Sequence, residues 1–262
     1  MPELPEVEVT RRAIAPKVLG KAIRRVENRD PKRYPGIEAA GGARVLDVLR
    51  RGKFLLFRLS DGRWLIFHLG MSGGFRFQET PHTRAVLELE DGALYFHDPR
   101  RFGRIWLVER PEEVPLLARI GPEPTDPAFN ADHLYQKAKR SRRPIKAILM
   151  DQEVVAGLGN IYADEALFRA GVRPTRPGNR ITKKEAGRIV QAVREVLEKA
   201  LKAGGSTLKD QSYRRPDEKI GYFQLKHAVY GREDKPCPLC GAPVRRTRIQ
   251  GRSAHYCPNC QR

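Results

Sequence analysis

At 262 residues the chain is long enough for one large or two modest domains with proper cores, and two plus a small appendage are expected. Fifty Lys and Arg against 31 Asp and Glu leave a formal charge of +19, which favours a polyanionic partner: nucleic acid first, an anionic membrane surface second. No run approaches the roughly 18 apolar residues of a membrane span, and Glu3 and Glu6 sit where a signal peptide would turn basic and then apolar, so a soluble cytoplasmic protein is expected.

The chain opens Met1-Pro2-Glu3-Leu4-Pro5-Glu6. Once Met1 is removed, Pro2 is a secondary amine with the Glu3 carboxyl beside it. An α-amino group titrates near ~8, well below a lysine, so part of it is unprotonated and nucleophilic at neutral pH. Attack of such an amine on a sugar's anomeric carbon gives a permanently cationic iminium, which opens a route to elimination. Seen alone, the same residues are more simply a helix start, with carboxylates placed where the dipole suits them.

Leu4, Val7, Ile14 and Val18 then recur at helical spacing and Gly20 offers a stop, so the amine heads a short amphipathic helix. From residue 22 to 108 the pattern becomes short apolar runs at 44–49, 54–59, 64–69, 85–89, 93–96 and 104–108, with hairpin signals at Asp61-Gly62 and Asp91-Gly92. An antiparallel β sandwich or barrel is expected. Gly70-Met71-Ser72-Gly73-Gly74 formally matches a G-x-S-x-G nucleophile elbow, but strand-like runs flank it on both sides where the elbow needs a following helix.

Prolines at 111, 115, 122, 124 and 127 suit an interdomain connector. Beyond them, helices are expected at 131–139, 145–151, 161–170 and 182–201. In the last, Thr182 and Glu185 have capping-box spacing, and Ile189, Val190, Val193, Val196, Leu197, Ala200 and Leu201 form one apolar face. Residues 137–146 carry six cations and no acid. All four cysteines lie in the last 26 residues, Cys237-x2-Cys240 and Cys257-x2-Cys260 separated by 16, the spacing of a four-thiolate zinc site. With no open coordination position, one such Zn2+ is structural and staples a hairpin too small to fold alone. Two disulfides are the alternative, disfavoured in a cytoplasmic setting.

Pro2-Glu3, Arg51-Gly52-Lys53-Phe54, His68-Leu69-Gly70-Met71-Ser72-Gly73, Asp98-Pro99-Arg100-Arg101-Phe102-Gly103, Gly159-Asn160-Ile161-Tyr162-Ala163 and the zinc-type finger follow one another in that order. This set, which spans essentially the whole chain, resembles the formamidopyrimidine-DNA glycosylase family of bacterial repair enzymes for oxidised purines. The resemblance implies an α+β chain: an N-terminal catalytic β sandwich with a leading helix (1–115), a helix-two-turns-helix DNA-binding module with a lesion-recognition loop (116–228) and a zinc-finger hairpin (229–262). It implies a monomer that acts in the cytoplasm on double-stranded DNA containing oxidised bases or abasic sites.

It also implies roles. Pro2 resembles the nucleophile that attacks C1′, Glu3 the acid that protonates the sugar ring oxygen, Lys53 the lysine of β-elimination and phosphate contact, and Arg252 the arginine of δ-elimination. A base inside a duplex hides its C1′, so the nucleotide must be flipped out and the hole filled. Met71, Arg100 and Phe102 match the void-filling residues: a thioether and a flat ring can wedge into the stack, and a guanidinium can hydrogen-bond the orphaned cytosine. His82, Arg142, Lys146 and Asn160 match phosphate-gripping positions, which fix register without reading sequence. Lys209 falls in the loop that closes over the flipped base.

Two other readings stand beside this one. An endonuclease VIII-type enzyme shares the proline chemistry but prefers oxidised pyrimidines; the Arg100-Arg101-Phe102 turn and Leu4 favour the purine enzyme. A non-catalytic zinc-finger DNA-binding protein explains the charge and cysteines but leaves Pro2, Glu3 and Lys53 without a purpose.

Overall fold

The computed structural model describes residues 1–206, 216 and 221–262, and contacts gather the chain into two units. The first is Met1–Arg119 with Ala203–Gln224; the second is Ile120–Lys202 with Leu225–Arg262.

In the first unit a helix, α1 (Leu4–Val18), precedes eight strands: β1 (Ile23–Asn28), β2 (Val45–Arg51), β3 (Phe54–Leu59), β4 (Trp64–His68), β5 (Gly74–Arg76), β6 (Thr83–Leu89), β7 (Gly92–His97) and β8 (Arg104–Val108). They pair into two four-stranded sheets, ordered β1-β6-β7-β5 and β2-β3-β4-β8, with every pairing antiparallel. The two-residue side-chain period decides what each strand buries. Leu55, Phe57, Leu59, Leu65 and Phe67 of one sheet share a single core with Ala85, Leu87, Leu89, Leu94 and Phe96 of the other, and α1 adds Val7, Ile14 and Val18. Phe67 lies 4.9 Å from Phe75 and Phe75 5.5 Å from Phe96, ring to ring, so aromatic contacts cross between the sheets. The expected sandwich is present, and both hairpin signals fall at turns.

Strands β1 and β5 have no counterpart among the apolar runs read from the sequence. β1 breaks its own alternation through a register shift between Ile23 and Arg25, and β5 is three residues long. After β8, a one-turn helix α2 (Pro115–Ala118) uses Pro115 at its start.

The second unit holds α3 (Ala131–Lys139), α4 (Ile145–Leu149), α5 (Asn160–Ala170), α6 (Lys183–Lys202) and a hairpin of β9 (Arg245–Ile249) and β10 (Arg252–Tyr256). Asn130 caps α3 by accepting from His133 N–H at 3.0 Å. The capping box at α6 forms as expected: Thr182 N–H donates to Glu185 Oε2 at 2.9 Å, and Glu185 N–H donates to Thr182 Oγ1 at 3.2 Å. Ile189, Val190, Val193, Val196, Leu197 and Ala200 make its buried face. Among the described residues no helix is long and apolar enough to cross a membrane.

Three partly or largely buried histidines, His68, His97 and His227, are each pushed down to about 4, chiefly by burial. At His68 the charges of Lys53 and Arg104 add to this, and Gly70 N–H donates to Nδ1 at 3.2 Å, which places the proton of the neutral ring on Nε2. An unfolded chain takes up a proton at such a site below about 6.5, whereas the folded chain resists until about 4. Stability therefore falls as pH drops through that interval. His68 accounts for roughly 3 kcal/mol of this loss, and His68→Gln should flatten the decline by that amount in urea melts between pH 7 and 4. An unchanged slope would remove His68 from the account.

Candidate functional site

The head of α1 is fixed by one carboxylate. Glu6 Oε2 accepts from the Glu3 N–H at 2.9 Å, and Oε1 accepts from the Ser206 N–H at 2.7 Å. Glu3 and Glu6 are each 2 % exposed, and Pro2 is buried beside them. The close approach needs Gly205: it sits at φ +79°, and a Cβ there would stand 3.0 Å from Glu6 Oε1. Lys53 lies in the same unit, 6 % exposed, in the two-residue loop that joins Arg51 of β2 to Phe54 of β3. Gly52, at φ +55°, allows that tight turn.

The turns that carry Met71 and Arg100–Phe102 are held by a second buried carboxylate. Asp98, fully buried, accepts from Ser72 Oγ–H at 3.1 Å through Oδ1 and from Gly103 N–H at 2.7 Å through Oδ2. Ser72 Oγ in turn accepts from Arg100 N–H at 3.3 Å. Gly70, at φ +65°, packs so closely that a Cβ would lie 2.5 Å from the Phe102 carbonyl carbon. The structure thus brings the turns of Met71, Arg100 and Phe102 together. The Phe102 ring is 51 % exposed, with the Arg100 guanidinium 5.3 Å from its centre. The stretch 70–74 is a strand-turn-strand connection rather than an elbow. His82 is exposed in the loop before β6.

In the second unit Arg142 is exposed ahead of α4. Lys146, expected to grip phosphate, is fully buried: its Nζ forms an ion pair with Asp164 Oδ1 at 2.7 Å and donates to the Ser253 carbonyl at 2.6 Å. Asn160 opens α5, and its Nδ2 donates to Ser253 Oγ at 3.3 Å. Its Oδ1 is buried with no hydrogen-bond partner among the described residues. Arg252 is exposed at the finger tip. Lys209 lies outside the described residues.

The four cysteine sulfurs lie within 4.8 Å of one another, with Cys237 and Cys260 3.9 Å apart and Cys240 and Cys257 3.5 Å apart. A tetrahedron with Zn–S bonds of about 2.3 Å has edges of about 3.8 Å, so the residues fit a zinc ion. Leu239 N–H points at Cys237 Sγ and Cys260 N–H at Cys257 Sγ, each at 3.4 Å, as the shell around zinc thiolates requires. Burial and the three neighbouring sulfurs push the Cys260 thiol up, and a bound dication reverses that penalty.

Sequence reasoning missed the carboxylates that do the holding. Glu6 stands three residues after Glu3, a spacing that signals an N-terminal cap, and Asp98 begins a motif already singled out. Asp164 and Glu165 gave no signal beyond being acids in an apolar helix. Glu165 accepts from the N–H groups of Ala228, Val229 and Tyr230 at 2.8, 3.0 and 2.8 Å, while burial raises its pKa.

Three family models match in series: the formamidopyrimidine-DNA glycosylase N-terminal domain over residues 1–105, its H2TH domain over 120–212, and the zinc finger found in FPG and IleRS over 234–262. With the cysteine geometry, the last means that the finger holds one structural zinc ion. Proteins named formamidopyrimidine-DNA glycosylase from Thermus thermophilus and Acidithiobacillus ferrooxidans are 58% and 47% identical over all of this chain and cover 98% and 100% of their own length. The crystal structure of the MutM (Fpg) protein of Thermus thermophilus, 58% identical, superposes with a TM-score of 0.95 over 99% of this chain and 98% of its own. Lactococcus lactis Fpg in complex with DNA containing an abasic site is 32% identical, with a TM-score of 0.91 over 99% of both chains. The chain belongs to the formamidopyrimidine-DNA glycosylase family and is a bifunctional DNA glycosylase and abasic-site lyase.

Proposed function

We propose that this enzyme excises oxidised purines, 8-oxoguanine and formamidopyrimidines, from duplex DNA through an N-terminal proline Schiff base and then cleaves the abasic strand by β,δ-elimination. The observation that carries the reading is the buried Pro2-Glu3 pair, fixed by Glu6 and accompanied in its unit by the buried cation Lys53.

With Met1 removed, the Pro2 nitrogen attacks C1′ and the damaged base leaves with a proton. Glu3 gives a proton to the ring oxygen as the sugar opens to the iminium. Lys53 takes the C2′ proton, and the C3′–O bond breaks with the phosphate as leaving group. Arg252 assists the second elimination, which breaks the C5′–O bond; water then frees Pro2. Met71, Arg100 and Phe102 fill the hole that the extruded nucleotide leaves. Arg100, Arg142 and Arg252 support a DNA-facing role because each lacks an acidic partner among the described residues, whereas neighbouring Arg143 is paired with Asp151 at 2.8 Å. His82 and Asn160 join Arg142 on phosphates, and Lys209 belongs to the loop over the flipped base. Lys146, being buried, serves phosphate binding through the groups it holds in place. By task the chain divides into 1–115 for chemistry, 116–228 for gripping DNA and 229–262 for the finger, and it works as a monomer in the bacterial cytoplasm.

Borohydride should trap a covalent complex between the Met1-trimmed protein and a duplex carrying 8-oxoguanine opposite cytosine, and none when Met1 is retained. No adduct from correctly trimmed protein would sink the proline mechanism. Cys237→Ser should lose zinc and duplex binding together, the binding by more than about tenfold; binding that survives without zinc would separate the finger from DNA contact. Asp98→Ala strands the Ser72 hydroxyl and Gly103 N–H and should slow base excision roughly 10–100-fold. Adduct formation at a pre-formed abasic site should slow less, and equal losses in the two assays would refute a role for Asp98 in shaping the void-filling turns.

A further inference from the structure

Arg252 follows a two-residue turn in which Gln250 and Gly251 both have positive φ, 47° and 76°, and it pairs with Ile249 across the hairpin. In such a hairpin the flanking pair and every second pair beyond it exchange their backbone bonds across the ladder. Arg252 and Ala254 are therefore bonded to β9, while Ser253 and His255 point C=O and N–H outward along an edge that β9 cannot reach.

Side chains from two helices fill that edge. Lys146 of α4 donates to the Ser253 carbonyl at 2.6 Å, and Asp164 of α5 accepts from the His255 N–H at 2.9 Å. The two are joined to each other at 2.7 Å, both with no exposed side-chain surface. His255 Nδ1 also lies 3.2 Å from Asp164 Oδ2, and Asn160 reaches Ser253 Oγ from the start of the same helix. The ion pair takes the place of a third strand. The Arg252 guanidinium has no hydrogen bond or ion pair among the described residues, so its position follows from where β10 is held.

We propose that Asp164 is a positioning residue for Arg252. Its carboxylate neutralises the buried Lys146 ammonium and takes the His255 N–H, which docks the outer edge of β10 on α4 and α5 and fixes the finger tip. Removing one partner of a buried pair leaves the other charge uncompensated, so the docking depends on the carboxylate as a unit with Lys146. The link to chemistry rests on the assignment of Arg252 to the second elimination.

The test uses the full-length, Met1-trimmed protein with Asp164→Asn and Asp164→Glu, each checked for one zinc per chain. Amide hydrogen exchange over residues 250–256 should quicken roughly tenfold in Asp164→Asn and be partly restored in Asp164→Glu, which keeps the charge. On a duplex with an abasic site, the ratio of δ- to β-elimination product should fall roughly 10–100-fold in Asp164→Asn, while the yield of borohydride-trapped adduct, which reads Pro2, stays unchanged. Unchanged exchange in zinc-loaded Asp164→Asn overturns the proposal. So does an unchanged product ratio when Arg252→Gln itself shifts the ratio. If Arg252→Gln leaves the ratio unmoved, the assignment of Arg252 fails instead, and hydrogen exchange alone decides for or against the anchoring. Loss of zinc from both Asp164 variants would make the residue a requirement for folding and overturn the positioning role.

Discussion

Glu6 carries the head of α1 and the entry to the segment after Ser206 on the two oxygens of one buried carboxylate. Neither donor is a side chain. Both are backbone N–H groups, so the contact fixes where the chain runs, and no rotamer change of a donor can release it. A carboxylate this deeply buried requires its donors, and those donors, left without it, would each cost about 1–3 kcal/mol. The head of α1 and the backbone at Ser206 are in that sense one structural object, although 200 positions separate Glu6 from Ser206 in sequence.

The same device recurs. Asp98 gathers the turns at 70–74 and 98–103, Glu165 gathers the N–H groups of residues 228–230, and Asp164 gathers β10. In a chain of net charge +19 the acids have two separate employments. Exposed ones pair with exposed cations, as in Asp47 with Arg58 or Asp61 with Arg63, contacts that salt readily screens. Buried ones hold backbone and are shielded from salt. A protein that must bind a polyanion benefits from that separation, because ions that weaken its grip on DNA leave its loops in place.

Period and punctuation in the sequence carried most of the fold. The Thr182/Glu185 box placed α6, short apolar runs placed β2, β3, β4, β6, β7 and β8, and cysteine spacing placed the finger. Local signals of this kind are written within a few neighbouring residues. β1 escaped because its bulge breaks the period, and β5 because three residues cannot establish one. The candidate site was legible at the cysteines, which gather as their spacing requires; Pro2, Glu3 and Lys53, singled out by residue type, lie buried in one unit. It was not legible where a residue works by distance. Nothing near Asp164 announces that Lys146 and His255 will meet it, because that encounter joins a helix to a strand 91 positions away. The same blindness made Lys146 look like a surface cation within a basic run, when the fold turns it inward.

The backbone contact between Gly70 and Phe102 has a consequence for how DNA is searched. Two turns that each cross from one sheet to the other are locked against each other before any duplex arrives, so in the proposed function Met71, Arg100 and Phe102 meet the base stack as a single pre-set probe. The entropy of assembling that probe is lost once, at folding, and does not recur at each site sampled. Discrimination during the search then falls to the DNA: base pairs that unstack easily yield to a stiff wedge, and sound ones push it back.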